Sequence, residues 1–179
     1  MRYFLNIIFI LFCMLMVSGL SIADKSKENH HLTPYSGTPE FERMKNLVGT
    51  WKGTMKMGEQ EQEITVIYST SSAGSVIIEK SFPGSPQEMV SVYYDKDGKL
   101  TMTHFCALKN QPQMTIADSK ENRIDLAFSG GSNIDLEKDM YMHSLSIDFE
   151  DNNTIVHNWT QYDGGKEKSV SSYKLSRAN

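Results

Sequence analysis

From Leu47 onward the chain alternates between apolar and polar positions. Leu47, Gly49, Trp51, Gly53, Met55 and Met57 fall on one face of an extended segment, and Val48, Thr50, Lys52, Thr54 and Lys56 fall on the other. That period of two marks a half-buried strand. Strand-like runs follow at 62–70, 74–82, 88–95, 99–108, 113–118, 123–129, 140–149, 154–162 and 167–175. Turn residues separate them, among them Asp95-Lys96-Asp97-Gly98, Gly130-Gly131, Asp151-Asn152-Asn153 and Asp163-Gly164-Gly165. About ten strands are therefore expected, joined mostly as hairpins, with no helix-period segment long enough to cross over between parallel strands. The pattern predicts an all-β fold, an antiparallel up-and-down β-barrel whose closure removes exposed sheet edges. Ahead of it, Thr38-Pro39-Glu40 supplies an N-cap, a proline at the first helical position and an early acid. A short N-terminal helix is expected to run from there to about Asn46, with Phe41, Met44 and Leu47 on one side.

The first 23 residues break this pattern. Arg2 precedes an apolar run from Phe4 to Val17, and Ser21-Ile22-Ala23 forms a small-x-small site. The run is shorter than the ~20 residues that span a bilayer, so residues 1–23 are expected to be a signal peptide cut near Ala23. Export to the periplasm or the medium follows as an expectation. Residues 24–37 have no apolar period and are expected to be a flexible polar lead-in, with His30 and His31 in a solvated tail. The barrel domain then occupies residues 38–179.

Losing the leader changes two properties. It removes Arg2 and no acid, so the mature chain is one unit more negative than the −4 of the full sequence. Acidic charge without a basic stripe argues against a nucleic-acid partner. It also removes Cys13, which leaves Cys106 as the single cysteine and rules out an intramolecular disulfide.

Gly49-Thr50-Trp51 on the first strand, reached through a short helix, resembles the Gly-x-Trp signature of the lipocalin and fatty-acid-binding superfamily, the calycins. That resemblance implies that Arg177, just after the last strand, stacks over Trp51 at the closed end of the barrel by a cation-π contact. The block Thr103-His104-Phe105-Cys106 with Asn110-Gln111-Pro112 and Met114 is similar to one in exported bacterial lipocalin-like domains of unknown function.

Candidate chemistry gathers on three strands. Alternation puts Met102, His104, Cys106 and Leu108 on one face, Tyr141, His143, Leu145 and Ile147 on another, and Ile155, His157, Trp159 and Gln161 on a third. All three faces are expected to point inward, which would place His104, His143 and His157 in one cavity. A thiol enzyme is the first alternative. Side chains two apart on a strand start about 6.6 Å apart and run parallel, so the base for Cys106 would be His143 or His157 from across the barrel rather than His104. The second alternative is a haem or metal protein, with His104, His143, His157 and Cys106 as suitable ligands but no close-spaced ligand motif. The third is a barrel filled by its own side chains and acting through its outer surface. The preferred expectation is a pocket for an apolar or amphipathic small molecule. Its predicted lining is Met55, Met102, His104, Cys106, Met114, Phe128, His143, His157, Trp159 and Gln161. In the turn 109–112, Pro112 is expected to end a hydrogen-bonding ladder, with Asn110 and Gln111 capping exposed backbone.

Overall fold

A computed structural model of the chain describes residues 33–178. The expected signal peptide, with residues 24–32 of the lead-in and both His30 and His31, lies outside the described residues. The order of elements is α1 (Pro39–Lys45), β1 (Gly49–Met57), β2 (Gln60–Ser71), β3 (Val76–Ser81), β4 (Met89–Lys96), β5 (Lys99–Phe105), β6 (Gln111–Lys120), β7 (Arg123–Ser132), β8 (Met140–Asp151), β9 (Thr154–Asp163) and β10 (Lys166–Arg177). Each strand pairs antiparallel with its neighbours in sequence, and β1 pairs with β10 to close the barrel. The alternation read from the sequence is what closes it, because one face of every strand is apolar enough to share a single core. No helix among the described residues is long and apolar enough to cross a membrane.

Up-and-down order sorts the connections to two ends. Helix α1 and the turns 97–98, 121–122 and 152–153 lie at the end where β1 starts. The connections 58–59, 82–88, 106–110, 133–139 and 164–165 lie at the other. Helix α1 closes the first end. Thr38 caps it, its Oγ1 accepting from Phe41 N at 3.2 Å, and Asp95 on β4 holds the cap by accepting from Thr38 N at 2.7 Å and Oγ1 at 2.8 Å. Phe41 and Met44 are fully buried and join the same apolar cluster as Leu47 and Trp51. The helix is therefore a stopper on the barrel base, held by an apolar face and one carboxylate.

Three expectations about the strands need correction. The strand predicted over 99–108 ends at Phe105, because Cys106 N donates to Asn110 O at 3.1 Å and Lys109 N to Cys106 O at 2.9 Å, which folds 106–110 into a turn. Pro112 sits inside β6 and pairs with Gly131 of β7. It does so where the ladder to β5 has stopped, since β5 and β6 pair only from Thr101 to Thr103 against Gln113 to Thr115. The run predicted over 74–82 shortens to Val76–Ser81, with Phe82 already in a left-handed turn at φ 55°.

The third correction concerns His143, for which alternation predicts an inward position. A β-bulge lies between Met142 and Ser144 in the pairing of β8 with β9. One extra residue in a strand breaks strict alternation. Met142 takes the core side, while His143 stacks on Tyr162 with ring centroids 3.8 Å apart and an interplanar angle of 10°. Phe128 joins this satellite group, 5.1 Å from the Tyr141 ring and 5.9 Å from His143, outside the continuous core cluster.

Candidate functional site

The interior has two levels. Next to α1 it is filled by its own side chains: Met102, Met114, Ile124, Leu100 and Trp51 are all fully buried. Trp51 Nε1 donates to Leu47 O at 2.7 Å. The Arg177 guanidinium lies 4.3 Å from the Trp51 ring and donates to Val48 O at 3.0 Å and Asn46 O at 2.7 Å. A Cβ on Gly49 would stand 3.2 Å from Arg177 Nη1, so a side chain there would crowd the guanidinium. Gly49, Trp51 and Arg177 thus form one closure, as the sequence resemblance implied. Trp51 and Arg177 themselves line a groove of about 600 Å³ at this end, together with Arg43, Asn46, Phe149 and Asn153 among others. Arg43 is committed there to backbone carbonyls of Glu121 at 2.8 Å and Arg123 at 3.3 Å.

At the other end the barrel is open. A cavity of about 740 Å³ is lined by Met55, Met57, Met89, Met142, Phe82 and Leu108, with Ser171 and Tyr173 on β10 and a polar fringe of Gln60, Glu61, Gln62 and Gln87. Methionine can adapt its shape, so four of them give a lining that accommodates different apolar outlines. Of the ten residues expected to line a pocket, Met55 does so. Met102 and Met114 belong to the filled base, and Phe128 and His143 to the satellite group. Gln161 is half-buried and accepts from Ser169 Oγ at 3.3 Å. Cys106 is buried in the turn at this end, where burial pushes its thiol above the ordinary value against the N–H groups of Leu108 and Ala107. That direction is opposite to the one that activates a nucleophile.

Between the two levels runs a belt of polar side chains that strand periodicity alone does not single out. Tyr68 on β2 stands directly opposite Glu79 on β3, Glu79 opposite Ser91 on β4, and Ser91 opposite His104 on β5. Glu79 accepts from Tyr93 Oη at 2.6 Å and from Ser81 Oγ at 3.2 Å. Ser91 Oγ and His104 Nδ1 are 3.0 Å apart, and Tyr68 Oη and His157 Nε2 are 3.1 Å apart. Strand β9 closes the belt across the interior: His157 meets Tyr68, and Trp159 packs against His104 with centroids 4.8 Å apart. Three side-chain atoms of the belt are buried without a partner: His104 Nε2, His157 Nδ1 and Trp159 Nε1. The signal for Glu79 is present as the inward series Ile77, Glu79, Ser81, but the adjacent pair Ile77-Ile78 hides its phase.

Burial dominates the electrostatics of the belt. It raises the Tyr68 and Tyr93 phenols well above their ordinary values, with the nearby Glu79 adding to the effect. It lowers His157, and it lowers His104 from 6.5 to about 4. Both imidazoles are therefore neutral when folded at neutral pH. An unfolded chain takes up protons near pH 6.5 that the folded one refuses, so stability falls as pH drops from about 6.5 toward about 4. At ~1.4 kcal/mol per unit, His104 alone is expected to cost roughly 3 kcal/mol over that window. Urea unfolding at pH 7 and pH 4.5 should show this loss, and His104→Gln should shrink it. An equal loss in the variant would remove His104 as the cause.

Among the described residues no haem or metal site is built. No histidine lines either cavity, and among the described residues no three His, Cys, Asp or Glu side chains gather closely enough to hold a metal ion.

No protein-family model and no curated protein matches the sequence. Among solved structures the chain is similar to the crystal structure of a protein of unknown function from the DUF3598 family of Nostoc punctiforme, with TM-score 0.53 and 11% identity over 75% of this chain and 48% of that one. The chain thus spans about half the length of that protein, and the likeness concerns the barrel fold alone. A redesigned β-barrel also aligns, with TM-score 0.38 and 14% identity over 75% of this chain and 94% of that one.

Proposed function

We propose that this chain is an exported, calycin-type barrel that binds an apolar or amphipathic small molecule at its open end. The observation that carries the reading is the cavity of about 740 Å³ lined by Met55, Met57, Met89, Met142 and Phe82 above a filled and stoppered base. Volumes of a few hundred to about 1,000 Å³ with apolar walls and few polar groups suit drug-sized ligands. The Trp51–Arg177 closure supports the calycin relation by geometry, since it is the contact that the resemblance implies. Export rests on the N-terminal sequence pattern.

Nile red, an uncharged dye whose emission rises in apolar surroundings, is expected to bind the wild-type protein. Met142→Arg places a charge in the cavity wall from a half-buried position. It should weaken dye binding at least about tenfold while leaving the melting temperature nearly unchanged, because an exposed arginine head can snorkel to water. Undiminished dye emission in the variant would move the binding site elsewhere. Native mass spectrometry of protein expressed with its leader checks whether an organic molecule copurifies.

A further inference from the structure

The lining of the mouth cavity constrains what headgroup a ligand can carry and where that headgroup sits. Among the described residues that line it there is no Lys and no Arg, and Glu61 is the one carboxylate. The polar side chains sort by exposure. Gln60, Glu61, Gln62 and Gln87 are all exposed, whereas Ser171 and Tyr173 are buried in the wall and carry only hydroxyls. Burial raises the Tyr173 phenol above its ordinary value, with Glu79 and Cys106 adding to the effect, so it stays neutral. A charged headgroup carried inward would leave water for a wall with no ion to pair it, and burying an unpaired charge is among the costliest steps available to a protein. A headgroup left at the exposed fringe keeps its water, while the tail covers the half-buried Met55, Met89, Met142, Phe82 and Leu108.

The charge of the rim then decides between headgroups. The connections at this end carry Glu59, Glu88, Asp135, Glu137 and Asp139 against Lys109 and Lys138. The strand ends beside them balance: Lys56 pairs with Glu61 at 3.1 Å, Lys168 pairs with Asp163 at 2.6 Å, and Lys166 adjoins Glu167 in sequence. Acids are therefore in excess around the opening. Charge of one sign around a low-dielectric mouth concentrates its field there, which attracts cations and repels anions.

We infer that the barrel takes an amphiphile tail-first, with its headgroup outside at Gln60, Glu61, Gln62 and Gln87, and that the rim favours a cationic headgroup over a carboxylate. This rests on the cavity reading above and adds orientation and charge to it.

The test is displacement of Nile red from the protein by three ligands with the same decyl chain, each kept below the concentration at which it forms micelles: decyltrimethylammonium, decanoate and decyl maltoside. The maltoside carries an uncharged disaccharide too polar and bulky to enter the apolar wall, so its displacement of the dye is expected and reports the tail-first pose. Decyltrimethylammonium is expected to bind at least about threefold tighter than decanoate in low salt, a modest ratio because contacts between exposed charges are individually weak. Salt at about 1 M, where the Debye length is about 3 Å, should shrink that ratio. Glu61→Lys changes an exposed side chain and should lower it at least about twofold. Displacement by the two charged ligands but not by the maltoside overturns the tail-first pose. Decanoate binding as tightly as the ammonium, or a ratio that neither salt nor Glu61→Lys changes, overturns the charge preference. Either result leaves the cavity as the binding site. Failure of all three ligands to displace the dye overturns the cavity reading, and this inference with it.

Discussion

Trp51→Ala is expected to destabilise the barrel by about 3–5 kcal/mol, the range for removing a large buried aromatic side chain. Three losses coincide at this position. The fully buried indole gives up its apolar contacts with the base, including Phe41, Met44 and Leu47 of the stopper region. Leu47 O loses the donor that reached it at 2.7 Å. Arg177, 4.3 Å from the ring, then faces a void instead of a π surface. Urea unfolding followed by the fluorescence of Trp159 measures the effect, and a loss below about 1 kcal/mol would mean that the base repacks without the indole. Trp51→Phe separates the contributions: it fills most of the space but cannot donate to Leu47, so it should cost less than the alanine change.

Gly53→Val is expected to be nearly as severe, at about 2–4 kcal/mol, by the opposite route of overpacking. A Cβ on Gly53 would lie 1.9 Å from Lys174 O, and that atom belongs to the backbone of β10, the partner that closes the barrel. A flexible side chain could move aside, but a backbone carbonyl moves only with its strand. Glycine here lets β1 and β10 approach at the seam. Thermal melting of Gly53→Val against wild type reads the cost directly, and an unchanged melting temperature would show that the seam relaxes freely. Gly58→Ala makes a useful contrast. A Cβ at that position would meet nothing within 4 Å, so the cost is confined to the positive φ of 59°.

The barrel was legible in the sequence because alternation is a local signal repeated many times. A strand exposes its phase within five or six residues, as β1 does from Gly49 to Met57 with Trp51 buried between half-buried Thr50 and exposed Lys52. Ten strands at short spacing with turn residues between them leave few other closed arrangements. Helix α1 was equally readable, since its cap and first-turn proline lie side by side at Thr38 and Pro39.

The site was less legible, for two physical reasons. Alternation assigns a face but not a depth, so Met102 and Met55 looked alike although one is fully buried in the base and the other lines the mouth. Depth depends on register between strands and on where α1 sits, neither of which one strand carries alone. The second reason is the bulge at His143, a one-residue insertion visible only through the pairing of β8 with β9. The polar belt combines both difficulties. Tyr68, Glu79, Ser91 and His104 are spread over four strands, and only the cross-strand register brings them into one row. By contrast, the Gly49, Trp51 and Arg177 closure was anticipated because a resemblance supplied the long-range contact that periodicity could not.

The proposed ligand space lies at the open mouth, above a base filled by its own side chains. Methionines mark both levels, with Met55, Met57, Met89 and Met142 in the cavity wall and Met44, Met102 and Met114 fully buried below. The most direct measurement is a titration with 1-decanol of protein carrying 13C at the methionine methyl groups, followed by NMR. Movement of the Met55, Met57, Met89 and Met142 signals, with Met44, Met102 and Met114 unmoved, is the predicted result. Shifts at Met102 and Met114 with the mouth methionines silent would contradict it.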